Sequence, residues 1–458
     1  MHKALISSAE NPVAIHLIDG DMWKADKGGL DDAKQTFAAT LGFKAAAGQT
    51  VLCPEADGTL GAVLFGLGGG DDRLAVSALA AKLPDGDYAV SIKPESMPFA
   101  AIVDGWIDGT YRFERYLSDD REPPRLLVPN TEDMEAFGRL GAAVDRVRDL
   151  INTPAGDMGP DAIEAHIRSM AETYSADISV VTGDDLLAEN YPMVHAVGRA
   201  ADIQPRIVEL SWGGSEHPEL AIVGKGVSFD TGGLNIKTGN YMRIMKKDMG
   251  GAAHAIALAG LVMDADLPVR LKLYIPTVEN AISGNAFRPG DVLQSRKGKT
   301  VEIDNTDAEG RLILADALAR ACEGEPDLIC DFATLTGAAR VALGPDLAPY
   351  FTDDEELASA IANGSTVSGD PAWRMPLWSP YLGMLKSSVA DIVNSGGGGM
   401  AGSITAALFL REFVDTKSWV HLDVWGWREA KYGRPAGAAA CGLRAVWQML
   451  QERYSKSS

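Results

Sequence analysis

The stretch Val301-Glu302-Ile303-Asp304-Asn305-Thr306-Asp307-Ala308-Glu309-Gly310-Arg311-Leu312 leads from a strand-like run, Val301 to Ile303, into an apolar run with helical spacing, Leu312 to Ala321. Two acids, a glycine and an arginine therefore stand at a strand-to-helix turn. Residues two apart on a regular helix point to nearly opposite sides, so Asp307 and Glu309 can act together only from the turn. Carboxylates at the end of a buried strand suggest a divalent-metal site, in the crevice where open α/β sheets place ligands. An acid-capped helix start is the competing reading of this stretch taken alone.

Around it the chain alternates strands with helices. Strands are expected at Ile178 to Val181, Ile207 to Leu210, Leu220 to Val223, Leu271 to Ile275, Leu328 to Ala333 and Val420 to Val424. Helices are expected at Gly250 to Met263, Leu312 to Ala321, Ile404 to Phe413 and Ala438 to Leu450. Apolar strands separated by helices make an α/β fold with a mostly parallel, helix-covered sheet. The preceding residues read as a smaller N-terminal α/β domain, with strands at Pro12 to Ile18, Val51 to Cys53 and Gly61 to Leu67. Gly68-Gly69-Gly70 lacks a following Lys-Ser/Thr and is read as a turn rather than a phosphate cradle. Trp106, Tyr111, Phe113 and Tyr116 surround Gly109 in a helix-like stretch and suit a core or an interface. With Arg121-Glu122-Pro123-Pro124 as a domain edge and helical spacing from Met134 to Leu150, the expected division is an N-terminal domain at 1–128, a connecting helix at 129–151 and a second domain at 152–458.

A chain of 458 residues exceeds one core. A net charge of −21 weighs against a broad basic face for nucleic acid or anionic lipid. Cys53, Cys322, Cys330 and Cys441 show no paired spacing, so neither a zinc finger nor a disulfide framework is implied. The first residues lack a signal-peptide apolar core, and no long apolar stretch suits a membrane span, so the expected compartment is the cytoplasm.

Upstream, a buried strand runs into Val223-Gly224-Lys225-Gly226 and on to Asp230; Lys237 follows, and Asp248 precedes Met249-Gly250-Gly251 at a helix start. Four converging carboxylates would repel one another strongly. Two divalent ions about 3.5–4 Å apart would neutralise them, hold a bridging water and lower its pKa. A neutral lysine can ligate a metal, while a protonated one can polarise a carbonyl and stabilise an oxyanion. The seven histidines are scattered, with no His-Glu-x-x-His.

These residues resemble the leucine aminopeptidase (cytosol aminopeptidase) family of dinuclear metallopeptidases, whose hallmark octet Asn-Thr-Asp-Ala-Glu-Gly-Arg-Leu stands whole at 305–312. The segments at 223–237 and 247–252, Ala333 to Ala338, the helix entry from Ala401 and His421-Leu422-Asp423 are similar to further family blocks. The resemblance spans roughly 135–450 and implies a metalloaminopeptidase that hydrolyses the N-terminal peptide bond of peptides, with a metal-bridging water as nucleophile. It implies that Asp230 and Glu309 bridge two divalent ions (Zn or Mn), that Lys225 and Asp248 complete one shell, and that Asp307 completes the other by side chain and carbonyl. Lys237 would polarise the scissile carbonyl, and Arg311 would hold a bicarbonate that relays the proton. The N-terminal side chain would enter a pocket beside Met245, Thr334 and Gly337. Trp425 departs from the small residue common there and is expected to alter the preference for leucine. A homohexamer is also implied. The alternative is a DNA- or ligand-binding regulator, which the acidic charge and the lack of a basic run in residues 1–128 oppose.

Overall fold

The computed structural model of the chain describes residues 2–70, 75–117, 121–430 and 436–455. The backbone divides into two compact units, Met1–Asp145 with Glu429–Ala436, and Arg146–Arg428 with Gly437–Ser458. The division falls inside the helix Thr131–Asn152.

In the first unit, β1 (Leu5–Ile6), β2 (Val13–Asp19), β3 (Thr50–Pro54), β4 (Leu60–Gly68), β5 (Asp87–Ile92) and β6 (Arg125–Leu127) form one sheet in the order β1-β6-β5-β2-β4-β3. All neighbours are parallel except β3 and β4. β4 is buried continuously from Ala62 to Leu67, the mark of a strand covered on both faces. Val63, Phe65 and Trp106 belong to the core on one side, Leu64, Phe43 and Leu30 to that on the other. Gly68 and Gly70 take positive φ in the turn after β4. The helix Phe99–Thr110 includes Trp106 and Gly109 but stops before Tyr111, Phe113 and Tyr116, which the sequence reading had grouped with it.

The second unit is built on a nine-stranded sheet. Its strands are β7 (Asp177–Thr182), β8 (Arg206–Trp212), β9 (Glu219–Gly224), β10 (Gly226–Asp230), β11 (Arg270–Asn280), β14 (Leu328–Ala333), β15 (Ala348–Phe351), β16 (Ala372–Arg374) and β18 (Trp419–Asp423). A small sheet holds β12 (Val292–Gln294), β13 (Thr300–Glu302) and β17 (Ile392–Val393). The large sheet runs β16-β15-β18-β14-β9-β11-β8-β7, with β10 beside β11. The middle pairs β18–β14, β14–β9 and β9–β11 are parallel, whereas β15–β18, β11–β8 and β8–β7 are antiparallel. The central strands β9 and β14 are buried along their whole length. One covering helix, Gly250–Asp264, is buried from Gly250 to Met263 because its residues are small or apolar on every side. A Cβ on Gly251 would stand 2.2 Å from the Phe332 carbonyl oxygen, so only glycine lets this helix lie so close to β14.

Two further expectations differ from what is observed. β10 is not among the strands expected from the sequence; it pairs in parallel with β11, Gly226 opposite Thr277. The last helix begins at Leu443 rather than Ala438, because Gly442 is left-handed at φ 73° and the Cys441 N–H is drawn to His254 Nε2 at 3.0 Å.

Candidate functional site

Lys225 is the single residue between β9 and β10, at the carboxyl end of the central strands. Its N–H donates to Phe332 O at 3.0 Å and its carbonyl accepts from Ala252 N–H at 2.8 Å, which aims the side chain into the sheet end. A Cβ on Gly310 would lie 1.9 Å from Lys225 Cε, so the glycine of the octet is what makes room for the lysine. Lys225 Nζ meets the Asp248 carboxylate and lies 3.2 Å from Glu309 Oε1. Asp248 reaches this point from the 3-10 helix Gly239–Met249, just ahead of the Gly250 helix.

Asp230 ends β10. Its Oδ1 accepts from Gly232 N–H and from Asn280 Nδ2, both at 2.9 Å. Lys237 Nζ bridges Asp230 Oδ2 at 2.8 Å and Asp307 Oδ1 at 2.5 Å. Asp307 and Glu309 both act from the turn between β13 and the helix Gly310–Cys322. Thr306 holds that turn: it is fully buried, its hydroxyl donates to Gly232 O at 2.6 Å and accepts from Asn235 N–H at 2.9 Å. Asn394 closes the other side, taking the Asp304 N–H at 2.9 Å and donating to Asn305 O at 2.7 Å. The Asn394 carbonyl also accepts from Arg311 Nη1 at 2.6 Å.

One carboxylate oxygen each from Asp230, Asp307 and Glu309 lies within 4.8 Å of the others. At that spacing each ionised pair costs about 3 kcal/mol at an effective dielectric of about 20. Burial first, and then Asp230, push Asp307 up to about 6. The same two causes push Glu309 well above the carboxylate range despite the opposing Lys225. Burial pulls the Lys225 ammonium down, but Asp248, Glu309 and Asp230 outweigh it and hold its pKa above the usual value. Lys237, likewise opposed by burial, is raised by Asp230 and the other acids. Burial lowers Arg311 to about 10, against the pull of Glu309 and Asp423. Glu309 Oε2 is buried without a hydrogen-bond partner. A like-charge cluster of hard oxygen donors with an orphaned lone pair fits divalent cations.

The other expected residues share the same cleft, of about 950 Å³, whose lining includes Met245, Thr334, Gly337 and Trp425 as well as the acids, both lysines and Arg311. Thr334 Oγ1 donates to the Asp248 carbonyl at 2.9 Å, tying this wall to the acids. Sequence reasoning missed several participants. Asn280, Asn394 and Arg340 carried no motif signal, and Lys247 was seen only as the first residue of the block 247–252. Asp423 was seen only as part of a block: its carboxylate accepts from Leu335 N–H at 2.9 Å, Thr336 N–H at 3.1 Å and the Thr336 hydroxyl at 2.6 Å, fixing the loop that presents Thr334 and Gly337.

Residues 145–447 match the model of the cytosol aminopeptidase family, catalytic domain, and residues 13–129 that of the M17 aminopeptidase, N-terminal domain. A probable cytosol aminopeptidase of Roseiflexus castenholzii is 37 % identical over 78 % of this chain and 77 % of its own. The crystal structure of a cytosol aminopeptidase from Coxiella burnetii is similar at a TM-score of 0.91 and 41 % identity, covering 98 % of both chains. The bottromycin maturation enzyme BotP, in complex with Mn, superposes with a TM-score of 0.87 at 33 % identity, over 98 % of this chain and all of that one.

Proposed function

The chain belongs to the cytosol aminopeptidase family of metalloaminopeptidases, and we propose that it removes single N-terminal residues from peptides at a site for two divalent ions, Mn or Zn. The observation that carries this reading is the triad Asp230, Asp307 and Glu309, with ligand oxygens within 4.8 Å of one another and one of Glu309's left without a partner. In the proposal Asp230, Glu309, Lys225, Asp248 and Asp307 would hold the ions. When bound, such ions supply Lewis-acid activation of water and carbonyl.

The remaining work falls to the chain's own groups. Lys225 can ligate only as the neutral amine, and its burial favours that form once the surrounding negative charge is neutralised. Lys237, held by Asp230 and Asp307, stays charged and donates to the scissile carbonyl oxygen as negative charge develops there. Arg311, its Nη1 anchored on Asn394 O, would hold a bicarbonate with the rest of its guanidinium, and such an anion would supply a group able to take up and return a proton. The acids favour a substrate with a free α-amine, which restricts cleavage to the first residue. That residue's side chain enters the pocket lined by Met245, Thr334, Gly337 and Trp425, where the indole takes up volume and disfavours bulky branched groups.

We extend the reading to a cytoplasmic homohexamer. No helix among the described residues is long and apolar enough to cross a membrane. No observation favours the DNA-binding alternative.

The decisive measurement is a set of initial rates on aminoacyl amides and their N-acetylated counterparts. Chelation should silence the enzyme, Mn²⁺ or Zn²⁺ should restore it, and acetylated substrates should stay intact. Activity that survives complete chelation, or release of acetylated residues, refutes the proposal.

A further inference from the structure

Trp425 carries two cations on its ring. Lys247 Nζ lies 4.0 Å from the ring centroid and the Arg340 guanidinium carbon 4.1 Å. All three side chains line the cleft that holds the acids. Stacking on an indole is favourable, but it leaves a cation's charge uncancelled. Charges far from water are ordinarily paired, and at the buried Lys247 the pairing is incomplete, whereas Arg340 is half-buried. Lys247 is 3 % exposed, and its acid contact, Asp248 Oδ1, lies 3.8 Å away. That acid is already engaged by Lys225. The other buried acid nearby, Asp423, spends both oxygens on Leu335 and Thr336. Among the described residues no carboxylate stands within ion-pair distance of Arg340. It sits three residues after Gly337 in the helix Gly337–Leu343, on the same face, so its guanidinium and Gly337 border the same space.

We propose that this corner of the pocket is a carboxylate subsite, and that the enzyme favours peptides beginning with an acidic residue, glutamate above aspartate. The inference rests on the assignment of Met245, Thr334, Gly337 and Trp425 to the pocket for the N-terminal side chain. Arg340 supplies a planar fork of donors to the carboxylate, and the Lys247 side chain stacks on the same indole. Trp425 holds both cations in place and fills the volume a branched apolar side chain would need. Glutamate, linear and anionic, suits what is left.

The test uses the Mn²⁺-loaded full chain and kcat/KM values on Glu-, Gln-, Asp-, Leu- and Lys-amides, with Leu-Gly against Leu-Gly-amide as a separate arm. Wild type should prefer Glu-amide over the isosteric Gln-amide by roughly tenfold or more, the worth of one charge-assisted contact. Arg340→Glu should reverse the ratio of Glu-amide to Lys-amide, and Arg340→Lys should retain the acidic preference in part. Thermal melts check that each variant is folded, and Arg340→Gln reads the same ratio if the charge reversal misfolds. Equal rates on Glu- and Gln-amide, or a preference unchanged in Arg340→Glu, overturn the proposal. A preference for Leu-Gly over Leu-Gly-amide that depends on Arg340, without any preference for Glu-amide, also overturns it by assigning the cations to the peptide's own C-terminus. Loss of all amide hydrolysis in wild type is a different failure, that of the aminopeptidase reading itself.

Discussion

Two groups of acids in the second unit, all buried except the half-buried Asp307, are treated oppositely by the protein. In the interior, Asp316 takes the N–H groups of Met193 and Arg296, each at 2.8 Å, and that of Val194 at 3.4 Å. Asp331 takes His421 Nδ1 at 2.6 Å and Trp419 Nε1 at 2.7 Å. Each of their carboxylate oxygens has a donor from the chain, and no second carboxylate is needed to explain their position. In the cleft, Asp230, Asp307 and Glu309 face one another, and Glu309 Oε2 has no partner. The two tryptophans repeat the contrast, since Trp419 Nε1 is bonded whereas Trp425 Nε1 is buried without an acceptor. Burial alone therefore does not mark a functional acid. Mutual repulsion with unfilled hydrogen-bonding capacity does, because folding gains nothing from it.

That contrast can be broken most sharply at Glu309. Glu309→Ala should lower kcat/KM on Leu-amide by roughly a thousandfold or more, while the chelated protein melts no lower than wild type, since one of several repelling acids is gone. Near-normal activity, or a large fall in melting temperature, would erase the distinction. The converse experiment is Asp316→Ala. Removing this acid leaves two buried N–H groups and one part-buried one without their acceptor and should cost about 2–4 kcal/mol of unfolding free energy in urea, with kcat of the folded enzyme little changed. A neutral result would mean that the interior acid is not structural. The smallest effect is expected at Trp425→Ala: stability within about 1 kcal/mol of wild type, and a several-fold gain on branched N-terminal residues relative to linear ones. If leucine is already preferred and the variant changes nothing, the indole does not limit the pocket.

Much of the site was legible because its acids and lysines sit at strand ends and helix starts, where glycines and apolar runs mark the boundaries. The turn from Asn305 to Gly310 was readable as the place from which Asp307 and Glu309 act together, and Gly310 holds the space that Lys225 fills. β10 was not legible, since five residues bounded by glycine gain strand character only through pairing with β11. The start of the last helix was misjudged because an alanine-rich run scores as helix until His254 and Gly442 compete for its backbone. Asn280 and Asn394 position the site through bonds to segments far away in sequence, and nothing local distinguishes them from ordinary surface or turn residues, while Asp423 was marked only through the block His421-Leu422-Asp423.

By itself the sequence determined the family and the chemical inventory: an unbroken octet, two lysines and four acids in fixed order, on an α/β alternation that brings strand ends together. Residue types and spacings suffice for that, because ligand chemistry is a property of side chains and periodicity one of the backbone. Only the tertiary structure decided which acids crowd within 4.8 Å, which lone pair goes unfilled, and that Lys247 and Arg340 converge on Trp425 from segments nearly a hundred residues apart. Repulsion, burial and cation–π contact depend on distance in space, and distance in space is set by the packing of the whole chain.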